Sequence, residues 1–139
     1  MRIYFCGSIA GGRNYIKSYR DIVIFLQSQE HVVLTEHIIA ENVLENELNL
    51  TPEQIYRRDI AWLENSEVVI AEISNPSLGV GYEICYALSH HKPVLALYEE
   101  NIFVSRMITG NPDRNLQIES YTSMSECRNK ILAFLKLHG

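Results

Sequence analysis

Residues 68–83 constrain the fold of this chain more than any other segment. The segment opens with Val68–Ile73, whose apolar and β-branched residues are typical of a strand buried on both faces of a parallel sheet. Asn75 and Pro76 end that strand. Small residues then follow, namely Ser77, Gly79 and Gly81. We therefore predict a glycine-rich loop here, with Glu83 in the first turn of the next helix.

Glu83 is the first candidate functional residue. A glycine-rich loop between a buried strand and a helix N-terminus presents free backbone N–H groups, which bind anions. A carboxylate beside an anion site is electrostatically unfavourable, which favours a functional role for Glu83. The local sequence leaves a simpler interpretation open, because an acidic residue in a first helical turn often only complements the helix dipole.

Strands and helices alternate along the rest of the chain. The predicted strands are residues 2–6, 31–34, 68–73, 94–98 and 116–121. The predicted helices are residues 14–29, 51–64, 81–89, 104–108 and 123–137, with capping boxes at Thr51/Gln54 and Ser123/Glu126. Residues 38–50 have no clear period and predict a loop with some helix. This alternation predicts one α/β domain over residues 1–139, a five-stranded parallel sheet with helices on both faces.

The expected topology brings two loops together. In open parallel sheets, ligands bind beyond the carboxyl ends of the strands, where the strand order reverses. For the order 2-1-3-4-5, that crevice lies between the first and third strands. The loops that leave these strands are residues 7–12 and 75–81, the two glycine-rich loops of the chain. Both arguments therefore predict a single pocket.

Charge and cysteine content exclude several classes of protein. A formal net charge of −5 argues against a surface for a nucleic-acid polymer, which needs a basic face. The three cysteines lack the spacing of a zinc site; they are Cys6, Cys85 and Cys127. We expect the side chains of Cys6 and Cys85 to be buried in the protein, and we expect the protein to be in a reducing compartment. No stretch is long enough to span a bilayer, so we expect no membrane partner and a cytoplasmic protein, or a nuclear one in a eukaryote.

Motifs of other families with a similar sheet are absent from the sequence. The first glycine loop, residues 7–12, lacks the GxGxxG spacing of dinucleotide-binding proteins. Neither glycine loop is followed by a Walker lysine, and the chain contains no GxSxG nucleophile elbow.

The remaining motifs resemble the nucleoside 2-deoxyribosyltransferase-like superfamily, and within it the 2′-deoxynucleoside 5′-phosphate N-hydrolases. The resemblance runs in order through nearly the whole chain. The matching segments are Ile3–Ile9 with Gly11–Arg13, Val33–His37, Asp59 with Trp62 and Leu63, Pro76–Glu83, and Lys92 with Pro93.

The resemblance implies a flavodoxin-like (Rossmann-like) sheet, a homodimer, and cleavage of an N-glycosidic bond without metal or organic cofactor. It assigns Glu83 as the nucleophile that attacks deoxyribose, Asp59 as the group that protonates the departing base, and Tyr4 as the residue that orients the nucleophile. These roles follow the logic of retaining glycoside cleavage. Without the resemblance, a functional role for Asp59 and a place as a solvated surface acid on a helix are about equally supported. For Tyr4 the simpler interpretation is a packed core residue, whose hydroxyl would still need a hydrogen-bond partner.

The resemblance also implies a site for a 5′-phosphate. Its donors are Gly7, Ser8, Ile9, Ser77 and Gly79. Ser105 matches a serine that the partner subunit contributes. The best-known members have an arginine where this chain has Ala10, and Arg13 or Arg106 is the candidate to replace that charge.

Three functions are compatible with these sequence features. The leading hypothesis is hydrolysis of 2′-deoxynucleoside 5′-monophosphates through a covalent glycosyl-Glu83 intermediate. A base-exchange transferase is the nearest alternative. The third possibility is a nucleotide-binding sensor that has lost its chemistry, although a pure binding module has no need for the set Tyr4, Asp59 and Glu83.

Overall fold

A computed structural model describes residues 1–9, 12 and 14–139 of the chain. Its five strands form one sheet in the order β2-β1-β3-β4-β5, and every neighbouring pair is parallel. The strands are β1 Arg2–Cys6, β2 Val32–Val33, β3 Val68–Glu72, β4 Val94–Glu99 and β5 Leu116–Tyr121. This topology confirms the predicted fold class.

Six α-helices connect or follow the strands in the described part of the chain. They are α1 Ile16–Ser28, α2 Val43–Leu48, α3 Pro52–Asn65, α4 Leu78–Ser89, α5 Arg106–Thr109 and α6 Met124–His138, with a 3₁₀ turn at Glu36–Ile39. Among the described residues, no helix combines the length and the apolar character that crossing a membrane requires.

The sheet separates two apolar layers because successive side chains of a strand point to opposite faces. On β1, Ile3 and Phe5 pack in the layer that α1 and α6 cover. Tyr4 and Cys6 face the opposite layer, together with apolar residues of α3 and α4. The buried run of β3 alternates in the same way. Every residue of this strand is buried, as the apolar run predicted.

Helix α4 begins earlier than predicted, and this changes the glycine loop. The Ser77 hydroxyl accepts the N–H of Val80 at 3.3 Å and caps the helix, which starts at Leu78. Gly79 therefore lies in the first turn of a helix, not in a loop, and Glu83 lies in the second turn. The expectation failed because the capping serine outweighs the low helix propensity of glycine.

The two predicted capping boxes have different outcomes. At the start of α3, Thr51 accepts the Gln54 N–H at 3.2 Å, and Gln54 accepts the Thr51 N–H at 2.9 Å, so this box is confirmed. At the start of α6, Ser123 caps the Glu126 N–H, but the Glu126 carboxylate accepts from Thr122 instead. Only half of the second box forms.

Two further expectations need correction, and one is confirmed. Strand β2 is limited to Val32–Val33 and is shorter than predicted. Residues 38–50 combine loop segments with the helix α2, as predicted. Cys85 is exposed, whereas Cys6 is buried as expected. Cys85 directly follows Ile84, which points into the core, and the helical repeat turns the cysteine outwards.

Candidate active site

A cavity of about 850 Å³ opens at the carboxyl ends of β1 and β3, the place that the topology predicts. It brings together six of the residues singled out from sequence, namely Gly7, Ile9, Asp59, Ser77, Gly79 and Glu83. Much of the remaining lining is apolar and comes from α2, α3 and the segment between them, namely Leu44, Leu48, Leu50, Ile55 and Ile60. The cavity therefore has acidic groups beside a wide apolar wall.

Tyr4 holds the Glu83 carboxylate. The phenol hydroxyl donates to Oε1 of Glu83 at 2.7 Å, and only 2% of the Tyr4 surface is exposed. The geometry is compatible with both interpretations of Tyr4, because its ring packs in the layer next to α4 while its hydroxyl bonds the carboxylate. A charge-assisted bond of this length fixes the direction in which the second carboxylate oxygen points.

Burial raises the pKa of Glu83 to about 7. The hydrogen bond from Tyr4 opposes this shift, whereas the negative charge of Asp59 adds to it. A carboxylate that ionises near neutral pH is a stronger nucleophile and a better base than an ordinary one when it is ionised. Glu83 in turn raises the pKa of Tyr4, after the larger effect of burial, so the phenol keeps its proton and remains a donor.

Asp59 belongs to an ion-pair cluster at the edge of the cavity. Its carboxylate lies 2.8 Å from Nη2 of Arg58, which also contacts Glu47 at 2.9 Å. The guanidinium packs over Trp62 at 4.8 Å from the ring centroid. Burial raises the pKa of Asp59, and the nearby Arg58 charge opposes that shift. Asp59 is therefore a half-buried, oriented carboxyl group and not a freely solvated one.

Glu47 and Arg58 did not emerge from the sequence as site residues. Glu47 lines the cavity, pairs with Arg58 and lies 3.4 Å from Nε2 of His37, so it ties α2 to α3. One sequence signal could have identified Glu47. Leu44 and Leu48 are four residues apart, which indicates one face of a short helix, and Glu47 lies beside that face. His37 contacts Glu47 and does not line the cavity as described. Burial and the Arg58 charge lower the pKa of His37.

The first loop approaches the core closely. Gly7 lines the cavity, and a Cβ atom at this position would lie 2.7 Å from the Tyr19 ring, so the position requires glycine. Ser8 is fully buried, and its backbone N–H donates to the Tyr19 hydroxyl at 2.9 Å. That donor is therefore engaged inside the protein. Arg13 and the Ala10 position lie outside the described residues.

The second loop is linked to the first one. Asn75 donates from Nδ2 to the carbonyl oxygen of Gly12 at 3.0 Å, which connects the loops that leave β3 and β1. Ser77 follows with its hydroxyl at the N-cap of α4, and Ser77 and Gly79 both line the cavity. The first backbone N–H groups of a helix have no partner within the helix and favour an anion, so this helix N-terminus is the candidate position for a phosphate group.

Ser105 lies in a different cavity. It caps α5, accepting the Met107 N–H at 3.3 Å, and lines a groove of about 700 Å³ that borders the other side of the α4 N-terminus. Ser77 lines both cavities. The described lining residues of the first cavity come from β1, α2, α3, α4 and their connections, so within one chain the structure does not bring Ser105 beside Glu83.

Comparison with known proteins identifies the family. The profile described as "Nucleoside 2-deoxyribosyltransferase" matches residues 3–123, which include every catalytic candidate. The chain belongs to the nucleoside 2-deoxyribosyltransferase family. This membership confirms the resemblance found in the sequence motifs.

Several relatives match nearly all of the chain. A protein of Methanosarcina mazei named "Putative 2'-deoxynucleoside 5'-phosphate N-hydrolase 1" is 39% identical over 134 residues, which cover 96% of this chain and 83% of that protein. A protein of Nematostella vectensis with the same name is 45% identical over 125 residues, 86% of this chain and 84% of its own. The "5-hydroxymethyl-dUMP N-hydrolase" of Danio rerio is 39% identical over 125 residues, 87% of each chain.

Solved structures share the fold. The CMP N-glycosidase of Clostridium botulinum superposes with a TM-score of 0.73 at 20% identity, over 96% of this chain and 99% of that one. The 2-deoxyribosyltransferase of Bacillus psychrosaccharolyticus gives a TM-score of 0.67 at 15% identity, over 93% and 91% of the two chains.

Proposed function

We propose that this family member is an N-glycosidase that hydrolyses 2′-deoxynucleoside 5′-monophosphates to the free base and 2-deoxyribose 5-phosphate. Relatives that match most of the chain are named as N-hydrolases of such nucleotides. The observation that carries the proposal is the Glu83 carboxylate, held 2.7 Å from the Tyr4 hydroxyl in a cavity that Asp59 also lines. Two carboxyl groups in one cavity suit cleavage through an oxocarbenium-like transition state.

The first chemical step forms a covalent intermediate. An ionised Glu83 oxygen attacks C1′ of the deoxyribose while the C1′–N bond breaks, and the electron pair of that bond leaves with the base. Protonated Asp59 donates its proton to the departing base. Burial raises the pKa of Asp59 and Arg58 opposes that shift, and a raised pKa is the direction that a proton donor to the base requires.

The second step releases the sugar. Asp59, now ionised, accepts a proton from water, and the resulting hydroxide attacks C1′ as the C1′–O bond to Glu83 breaks. Glu83 returns to its ionised form and Asp59 to its protonated form, so both groups are ready for another cycle. Tyr4 keeps Glu83 oriented throughout, since its own raised pKa prevents it from losing its proton.

The phosphate gives the substrate its second point of recognition. The N-terminus of α4, with Ser77 and Gly79 on the cavity surface, supplies hydrogen-bond donors and the positive end of a helix dipole. Gly7 and Ile9 line the same cavity from the β1 loop. A 5′-phosphate here would place the sugar between the two loops and C1′ toward Glu83.

A second copy of the chain is proposed to complete the site. Leu78, Phe103 and Met107 are 97%, 78% and 82% exposed, and they surround the groove that contains Ser105. Exposing such side chains costs about 25 cal/mol per Å² of apolar surface, so a two-fold dimer that buries them is favoured. Because this groove borders the α4 N-terminus, Ser105 of one chain would approach the phosphate site of the other.

Base exchange remains a second candidate, because the description of the matching family is that of a transferase. The two reactions share the covalent intermediate and differ only in whether water or a base attacks it. The deciding experiment incubates the protein with each deoxynucleotide and nucleoside, with and without a free acceptor base, and identifies the products by chromatography. Free base and sugar phosphate support hydrolysis, a new nucleotide supports exchange, and unchanged substrate throughout would contradict both.

A further inference from the structure

Glu72, the last residue of β3, is a buried carboxyl group outside the catalytic cavity. Its exposed fraction is 0%. The strand alternation directs it to the face of the sheet where Ile70 packs, opposite Ala71 and the active-site layer. A carboxylate without partners is strongly unfavourable in such a place. Its partners must therefore explain how it is tolerated.

Three donors converge on Glu72. The Tyr121 hydroxyl at the end of β5 donates at 3.0 Å, the Ser74 backbone N–H donates at 3.3 Å, and the Ser74 hydroxyl donates as well. The Ser74 hydroxyl also accepts the backbone N–H of Glu99, at the end of β4, at 2.8 Å. One carboxyl group thus joins the carboxyl ends of β3, β4 and β5.

Ser74 connects this cluster to the catalytic cavity. It begins the segment 74–77, in which Asn75 bonds the first loop and Ser77 caps α4. That helix carries Glu83. The bonds from Ser74 to Glu72 and Glu99 therefore set where the segment leaves the sheet, and with it the position of the α4 N-terminus.

We propose that Glu72 is a positioning residue for the active site, whose ionised carboxylate holds Ser74 and so keeps the segment 74–77 and the α4 N-terminus in their substrate-binding position. The inference rests on the proposed function for the identity of the substrate. Glu72 acts through Ser74 and does not touch the cavity.

The donor set favours the ionised form of Glu72. A carboxylate only accepts, which suits three donors, whereas a protonated carboxyl group brings a hydrogen that competes with them. The pKa of Glu72 is raised to about 7. Burial is the largest cause and the negative charge of Glu99 adds to it, whereas the hydrogen bonds from Ser74 and Tyr121 lower the pKa. Within the described residues, the other titratable groups that face Glu72 are Tyr121, Tyr15 before α1 and Cys127 of α6. The hold on Ser74 should therefore weaken as pH falls through about 7.

The first test follows backbone amides by NMR in a Glu83→Gln protein without ligand, so that Glu83 itself does not titrate. The amide signals of Ser74 and Glu99 should shift with a midpoint near pH 7, and adding Glu72→Gln should abolish that transition. Tyr121→Phe removes one donor and should raise the midpoint by about one pH unit. Signals of Ser74 that show no transition, or one that survives Glu72→Gln, would overturn the inference.

The second test measures binding of dGMP by calorimetry in the same Glu83→Gln background. At pH 8, Glu72→Gln should weaken binding roughly tenfold, in line with the cost of a small displacement in a binding site. Ser74→Ala, which keeps the buried charge and removes the bridging hydroxyl, should have a similar effect. At pH 6 the two proteins, with and without Glu72→Gln, should differ less in affinity, because Glu72 is then mostly protonated. The ligand titrates in the same way with both proteins, so its titration cancels in this comparison.

Glu119→Gln is the matched control, since Glu119 is a half-buried acid of β5 that pairs with Lys130 at 3.5 Å. It should leave dGMP binding unchanged. Equal affinities at pH 8 with and without the Glu72→Gln change would refute the positioning role. If dGMP fails to bind even the parent protein, dGMP is not a ligand of this site, and the amides of Ser77 and Val80 decide the inference instead. Displaced signals in Glu72→Gln support the inference, and unchanged signals overturn it.

Discussion

Replacing Tyr4 by phenylalanine should shift the pH dependence of catalysis while leaving the fold intact. The ring of Tyr4 is buried in the layer next to α4, and phenylalanine would fill that space. The lost hydroxyl donates to Glu83 at 2.7 Å. Hydrogen bonds to charged groups contribute roughly 1.5–3 kcal/mol, and about 1.4 kcal/mol corresponds to one pKa unit. Because the bond stabilises ionised Glu83, its loss should raise the pKa of Glu83 from about 7 by roughly one to two units.

This shift has a measurable consequence for rate. Glu83 with a pKa of about 7 is half ionised at pH 7, and after the shift only about 1–10% would be ionised. The value of kcat/KM at pH 7 should therefore fall roughly 5- to 50-fold from ionisation alone, and most of this loss should disappear by about pH 9–10. The assay is base release from a deoxynucleoside monophosphate between pH 5 and pH 10.

Tyr86→Phe provides the control for this experiment. The Tyr86 hydroxyl also donates to a glutamate, Glu64, at 2.7 Å, but this pair lies at the protein surface. The control should keep the wild-type pH profile. A folded Tyr4→Phe protein whose acid limb coincides with that of the wild type would refute the argument that Tyr4 tunes the nucleophile.

The proposed function leads to four further predictions. Glu83→Ala should lower turnover by several orders of magnitude with an unchanged circular dichroism spectrum, because the nucleophile is lost; each tenfold corresponds to about 1.4 kcal/mol of barrier. Near-wild-type turnover would remove Glu83 from the mechanism. Asp59→Asn should be slow because it cannot donate a proton to the base, and substrates with good leaving groups should lose least rate; an equal loss for all substrates would contradict that role. Deoxynucleoside 5′-monophosphates should have a far higher kcat/KM than the matching nucleosides, and comparable values for thymidine and its monophosphate would exclude a phosphate site at α4. Mixing inactive Glu83→Ala protein with an inactive Ser105→Trp variant should restore part of the activity if subunits exchange, whereas a fully active monomer in sedimentation would rule out a shared site.

The sequence alone predicted the features that depend on neighbours along the chain. The β5 boundaries, the buried run of β3 and the capping box at Thr51 follow from local spacing and capping chemistry, and all three are confirmed. Alternating strands and helices predicted a parallel sheet with helices on both faces, and the resemblance to a flavodoxin-like family implied the strand order that the structure confirms. From that order came the position of the cavity between the loops of β1 and β3, where the structure brings Glu83 and Asp59 together.

Contacts between residues far apart in sequence were decided by the tertiary structure. The apolar run around Glu72 predicts only a buried strand, and the Tyr121 hydroxyl that accompanies the acid comes from a strand 49 positions later. Arg58 likewise looks like a solvated helix residue until α2 places Glu47 against it. Such pairs leave no periodic trace in the sequence, since each partner is compatible with a surface position by itself. Only the packing of the strand ends and helices brings the charges together and shields them from water, and that shielding shifts the pKa values on which the proposed chemistry depends.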